Sequence, residues 1–120
     1  MFNKTLKKKE LYGTPRIGFM ENSDGYASVR GVCGDTIAIW LRIEDERIIE
    51  ATYDTDGCYP SIISGKIAAQ LSQGMTLEEA YQIETIDIID AVGGLPDEFH
   101  HCAQLAAEVL STLIYKYGYI

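Results

Sequence analysis

The chain has 120 residues, 47% of them hydrophobic, and a formal net charge of -8 from 10 basic and 18 acidic side chains. That size fits one domain over residues 1–120, which buries roughly two thirds of its unfolded surface and so needs neither a disulfide nor a metal merely to fold. The acidity excludes nonspecific binding of nucleic-acid phosphates, and no apolar run is long enough to span a bilayer.

Residues 1–13 are expected to form a flexible N-terminal segment. Lys4, Lys7, Lys8 and Lys9 are followed by Glu10, Tyr12 and Gly13 rather than by the apolar stretch of a signal peptide. Pro15, Gly18, Asp24 and Gly25 then punctuate a loop. Three strands follow. Residues 26–32 place Ala27, Val29 and Gly31 on one side, and residues 36–43 place Ile37, Ile39, Leu41 and Ile43 on one face at period two. After the polar turn Glu44-Asp45-Glu46, residues 47–55 alternate Ile49, Ala51 and Tyr53 with Glu50, Thr52 and Asp54. Short connections make a three-stranded antiparallel meander the expected topology. The polar alternate residues predict a second, wet face.

Beyond Cys58 the period becomes helical. Pro60 suits a first helical turn, and Ile62, Ile63, Ile67, Ala68 and Leu71 make a stripe that ends at Gly74. Thr76-Leu77-Glu78-Glu79 is a capping-box pattern for a short helix to about Gln82. Another helix is predicted from Thr85 to Val92, broken by Gly93-Gly94-Leu95-Pro96. In the last helix Leu105, Ala106, Val109, Leu110, Leu113, Ile114 and Tyr117 share one face. Strands followed by helices indicate an α+β domain with the helices packed on one face of the sheet.

Three cysteines are too few and too odd in number for a secreted disulfide framework, which places the chain in the cytoplasm and makes the thiols candidate ligands or nucleophiles. Cys33 falls in the turn between the first two strands, Cys58 where the third strand passes into a helix, and Cys102 at the start of the last helix. In a meander the first two positions lie at the same end of the sheet, and a helix packed across it can bring Cys102 there. Asp35 and His101 stand beside these thiols. Three sulfurs with one oxygen or nitrogen make a four-coordinate zinc site or a seat for an iron-sulfur cluster. A helix N-terminus favours the thiolate of Cys102, making it the expected nucleophile. The plain alternative for any single cysteine is a small buried hydrophobe, for Asp35 turn chemistry, and for His100 and His101 a surface place at a helix start.

Four stretches, Thr14 to Gly25, Gly31-Val32-Cys33-Gly34-Asp35-Thr36, Thr55-Asp56-Gly57-Cys58, and Gly93-Gly94-Leu95-Pro96 with His101-Cys102, resemble in order the motifs of NifU/IscU-type iron-sulfur cluster assembly scaffolds. The resemblance spans roughly residues 14 to 117. It implies a noncatalytic α+β scaffold that assembles a [2Fe-2S] cluster from iron and sulfur and passes it to recipient apo-proteins. The sulfur would come from a cysteine desulfurase, with Cys102 as persulfide acceptor. Cys33, Cys58 and Cys102 would hold the cluster, Asp35 or His101 would complete it, and zinc can occupy the same site. The resemblance leaves open a monomer or a homo-oligomer. A zinc-dependent sulfurtransferase like SufU is the alternative, but His101 precedes Cys102 where those proteins differ, and their insertion between the second and third cysteines is missing. Tyr59-Pro60 replaces small residues, and Leu95-Pro96-Asp97-Glu98-Phe99 replaces a basic chaperone-recognition segment with an acidic one, which argues against an Hsp70-type partner. With nothing after the last helix, the additional cluster-binding domains of long NifU proteins are not expected.

Overall fold

The structure, a computed structural model, describes residues 14–118; the segment 1–13 expected to be flexible lies outside the described residues. Strands β1 (Arg16–Ile17), β2 (Gly25–Arg30), β3 (Thr36–Glu44) and β4 (Arg47–Thr55) precede helices α1 (Tyr59–Ser72), α2 (Leu77–Tyr81) and α3 (Thr85–Val92). A 3-10 turn, Asp97–Phe99, then leads into α4 (His100–Tyr117). The expected meander is present, with β2 antiparallel to β3 and β3 antiparallel to β4. The sheet has four strands rather than three, in the order β1-β4-β3-β2. The added strand is the two-residue β1, which lies parallel to β4 through Arg16–Thr52 and Ile17–Tyr53. A piece that short, inside a Gly/Pro-punctuated loop, leaves no periodic signal.

The tight turn between β3 and β4 holds Asp45 and Glu46 at φ of 52° and 61°, the left-handed backbone that a two-residue hairpin loop demands. Just beyond it the register shifts: Arg42 pairs with Glu50, but Ile43 pairs with Ile48. The extra residue is Ile49, so Ile48 is fully buried and Ile49 only half-buried. Strict alternation through Ile49 fails because a bulge resets which residues face the core.

The outer edge of β4 is closed along its length. Ile48 N–H donates to Met75 O at 2.8 Å, Gly74 N–H to Ile48 O at 2.7 Å, and Leu77 N–H to Glu46 O at 2.9 Å. The Gln73 side chain accepts from Ala51 N–H at 3.0 Å, and beyond it β1 takes over. The turn between α1 and α2 thus acts as a partial strand, and α2 starts from the capping box of Thr76 and Glu79.

Ile37, Ile39, Leu41 and Ile43 of β3 meet Leu105, Ala106, Val109, Leu110 and Leu113 of α4 in the buried core. Helix α1 packs on both β4 and α4. Its buried side is made of Ser61, Ser64, Gly65, Ala68, Ala69, Leu71 and Ser72, while Ile62, Ile63 and Ile67 are only half-buried. Of the expected stripe, Ala68 and Leu71 are fully buried and Ile62 and Ile67 pack partly buried against the core, while Ser61, Ser64 and Gly65 share the inward side, because a helix wedged between a sheet and another helix needs small residues at its closest contacts. Tyr117, also expected in the core, is exposed at the last residue of α4, beside the left-handed cap at Gly118. The opposite sheet face is less polar than expected. Trp40 stacks against Tyr26 at a ring separation of 5.0 Å, and Phe19 meets it edge-on at 6.1 Å.

Replacing Ile39 by alanine should cost about 2–5 kcal/mol, since the side chain is fully buried under α4. Urea unfolding followed by circular dichroism checks this: the midpoint should fall while the slope is unchanged.

Candidate metal centre

The β2–β3 connection is a tight loop in which Gly31 N–H donates to Asp35 O at 2.7 Å and Gly34 N–H to Gly31 O at 3.0 Å. The start of β3 is then fastened to the end of β4. Asp56 Oδ1 accepts from Thr36 N–H at 2.8 Å, Thr55 Oγ1 donates to Thr36 O at 2.6 Å, and Gly57 N–H donates to Thr55 Oγ1 at 3.0 Å. These bonds hold Asp35 next to the segment that carries Cys58.

Cys58 is the N-cap of α1, and its carbonyl accepts from Ser61 N–H and Ile62 N–H. Its thiol makes no capping bond and is exposed. Cys102 enters from the first turn of α4 and is 1% exposed. Ligand atoms of Asp35, Cys58 and Cys102 all lie within 4.8 Å of one another. Neighbouring ligands of a tetrahedral zinc stand about 3.5–4 Å apart, so the set needs only a small contraction to close on an ion. Two sulfurs and a carboxylate oxygen are a donor set suited to zinc or iron.

Cys33 is outside that trio. It is exposed and lines a cleft with Gly31, His101, Gln104 and Glu108 at the same end of the domain. His101 bridges the two groups, with Nε2 at 3.5 Å from Cys102 Sγ and its ring beside the cleft of Cys33. His100 points elsewhere, its Nε2–H donating to Leu95 O at 2.8 Å.

Ser61 was not singled out by the sequence. Its Oγ donates to Asp35 Oδ2 at 2.8 Å and lies 3.5 Å from Cys102 Sγ, and the residue is fully buried. Its place three residues after Cys58, in the first turn of a helix whose start was legible, is the signal that could have found it. Gly57 makes the arrangement fit: a Cβ there would run into the Asp35 carboxylate and stand 2.8 Å from Ser61 Oγ.

Burial pushes the Cys102 thiol above its ordinary value; the Ser61 hydroxyl, 3.5 Å from the sulfur, works against that rise when its hydrogen turns from Asp35 to Cys102, and the charges of Cys58, Cys33 and Asp35 add to it. Desolvation thus opposes the thiolate that the helix N-terminus was expected to favour. A cation among these groups acts the other way, because it offsets both desolvation and like-charge repulsion.

A small α+β domain with thiols, a carboxylate and an imidazole gathered at one end of its sheet defines a metal-handling scaffold. The chain belongs to the NifU-like N terminal domain family, whose model matches residues 5–120. It is 36% identical over 108 residues to the iron-sulfur cluster assembly scaffold protein IscU 1 of Archaeoglobus fulgidus, over 88% of this chain and 71% of that one. It is 33% identical over 112 residues to the iron-sulfur cluster assembly scaffold protein IscU of Escherichia coli strain K12, over 88% and 87% of the two chains. The crystal structure of the N-terminal part of a nitrogen-fixing NifU-like protein from Brucella abortus superposes with a TM-score of 0.65, covering 98% of this chain and 97% of that one, at 18% identity. That last likeness is one of fold.

Two outcomes follow from the thiol environments. In metal-free protein, iodoacetamide should label Cys33 and Cys58 on the order of tenfold faster than Cys102, read by peptide mass spectrometry. The folded chain also holds the Cys102 proton more tightly than the unfolded chain does. The stabilisation from this is full below the ordinary thiol value of about 8.5 and is lost as pH rises through the raised folded value. Thermal melts of metal-free protein should therefore fall through that alkaline window, and the fall should be smaller in Cys102→Ala.

Proposed function

We propose that this chain is a scaffold on which a [2Fe-2S] cluster is built and from which it is passed to recipient apo-proteins. Iron and the cluster are its cargo. The observation that carries the reading is the approach of Asp35, Cys58 and Cys102 within 4.8 Å, at the end of the domain where Cys33 and His101 share a cleft. Family membership and the similarity to two scaffold proteins named IscU support it. In this reading Cys33, Cys58 and Cys102 hold the cluster, and Asp35 or His101 completes the set. A site made for delivery needs an accessible face and one weak ligand, and an oxygen or imidazole beside thiolates is such a ligand.

Sulfur comes from a cysteine desulfurase as a persulfide. Cys102 is its acceptor: the Cys102 thiolate attacks the sulfane sulfur, one S–S bond forms, and the bond to the desulfurase thiolate breaks. With Cys102 so deeply buried, delivery requires the first turn of α4 to move. That turn has no side-chain cap to hold it. The exposed acidic pair Asp97 and Glu98 ahead of α4 is a poor match for the basic segment that an Hsp70-type chaperone reads. No helix among the described residues is long and apolar enough to cross a membrane. Work in the cytoplasm, where thiols stay reduced, suits three free cysteines.

Anaerobic incubation with ferrous iron, cysteine and a cysteine desulfurase should produce sulfide-dependent visible absorption. Cys33→Ser, Cys58→Ser and Cys102→Ser should each lose most of it. Absence of that absorption with all thiols intact rejects the scaffold. Stoichiometric zinc that stimulates desulfurase turnover, with no cluster formed, selects the zinc-dependent sulfurtransferase instead.

A further inference from the structure

The four-coordinate set described above has three sulfurs and two rivals for the last place. Asp35 lies within the tight trio, and His101 Nε2 lies 3.5 Å from Cys102 Sγ. We propose that Ser61 is the positioning residue that decides this competition, holding the Asp35 carboxylate so that an oxygen, and not the His101 imidazole, completes the metal site. The inference rests on the metal-site reading of the preceding section.

The argument begins with what Ser61 touches. Its hydroxyl donates to Asp35 Oδ2 at 2.8 Å, a charge-assisted bond, and its oxygen lies 3.5 Å from Cys102 Sγ. The residue is fully buried, so water does not compete for the hydroxyl. An aspartate on a short loop has two free torsions and otherwise samples several directions. The bond to Ser61 removes that freedom before any metal arrives, so the ordering entropy is already spent. It occupies Oδ2 and leaves Oδ1 as the oxygen free of Ser61. Gly57 keeps the path open, because a Cβ there would strike the carboxylate and crowd Ser61 Oγ.

Among the described residues His101 has no such support. The residue is half-buried, its Nε2 approaches Cys102 Sγ at 3.5 Å, and it lines the cleft of Cys33. Preorganisation therefore favours the carboxylate.

The test uses one equivalent of zinc(II) added without oxygen to the whole chain, with zinc K-edge absorption spectroscopy as the readout. Imidazole gives outer-shell scattering that a carboxylate does not. The unaltered protein should bind zinc stoichiometrically with no imidazole signal. Ser61→Ala should acquire that signal and lose about 10–100-fold in zinc affinity, the usual range for removing a supporting partner of a ligand. Ser61→Ala with His101→Ala should lose the signal again. Circular dichroism of the metal-free variants separates a local effect from unfolding. Should Ser61→Ala unfold, Ser61→Thr, which keeps the hydroxyl, must retain the carboxylate-ligated spectrum. Imidazole scattering in the unaltered protein, or a Ser61→Ala spectrum and affinity identical to it, overturns the inference. Failure of the unaltered protein to bind zinc overturns the metal site itself and the inference with it. Zinc bound as described but no cluster on reconstitution overturns the scaffold reading and leaves the role of Ser61 standing.

Discussion

The stitching between Thr36 and the segment Thr55-Asp56-Gly57 is the constraint on which the site depends. A meander by itself brings the β2–β3 loop and the exit of β4 to the same end of a sheet, but only to within a strand spacing or two. Two hydrogen bonds between the Thr36 backbone and the Asp56 and Thr55 side chains, with a third from Gly57 N–H to Thr55 Oγ1, turn that rough neighbourhood into a fixed rim. Asp35 and Cys58 then lie close enough to share an ion with Cys102, which the packing of α4 across β2 and β3 supplies.

The rim is built against an electrostatic gradient. It gathers groups that become negative, in a chain already carrying a charge of -8, and it buries one of them almost completely. Without a cation, burial keeps Cys102 protonated, and Ser61 offers only partial relief. A cation placed among these groups would relieve the same crowding, since it offsets both desolvation and like-charge repulsion. Gly57 belongs to this account as much as the ligands do, since it admits the carboxylate where any other residue would exclude it.

Much of this was legible in the sequence, for identifiable reasons. The β3 face and the α4 face are long and strictly periodic, and apart from Tyr117 both are buried as their spacing predicts. The capping box at Thr76 is a local chemical signature, independent of what packs around it. The failures have tertiary causes. The bulge at Ile49 is a change of register that depends on the partner strand. The inward side of α1 is set by how closely the helix must approach its neighbours, which adds Ser61, Ser64 and Gly65 to the expected Ala68 and Leu71 and leaves the isoleucines only partly buried. At the site, Cys58, Cys102 and Asp35 fall together and Cys33 stands slightly apart, a distinction that loop geometry makes and spacing cannot. Ser61 was passed over because a serine in a first helical turn is ordinary; its spacing from Cys58 was a faint signal, and its three-dimensional neighbours give it meaning.

The closed margin of β4 has a consequence for how copies of this chain can meet. With Gln73, Gly74, Met75 and Leu77 on one half and β1 on the other, its hydrogen-bonding groups are spoken for. On that flank the two-residue β1 is the edge that remains, so lateral growth of the sheet finds only a short template there. Among the described residues, the six-residue β2 flank and side-chain surfaces such as the aromatic group around Trp40 are the longer stretches left for self-association.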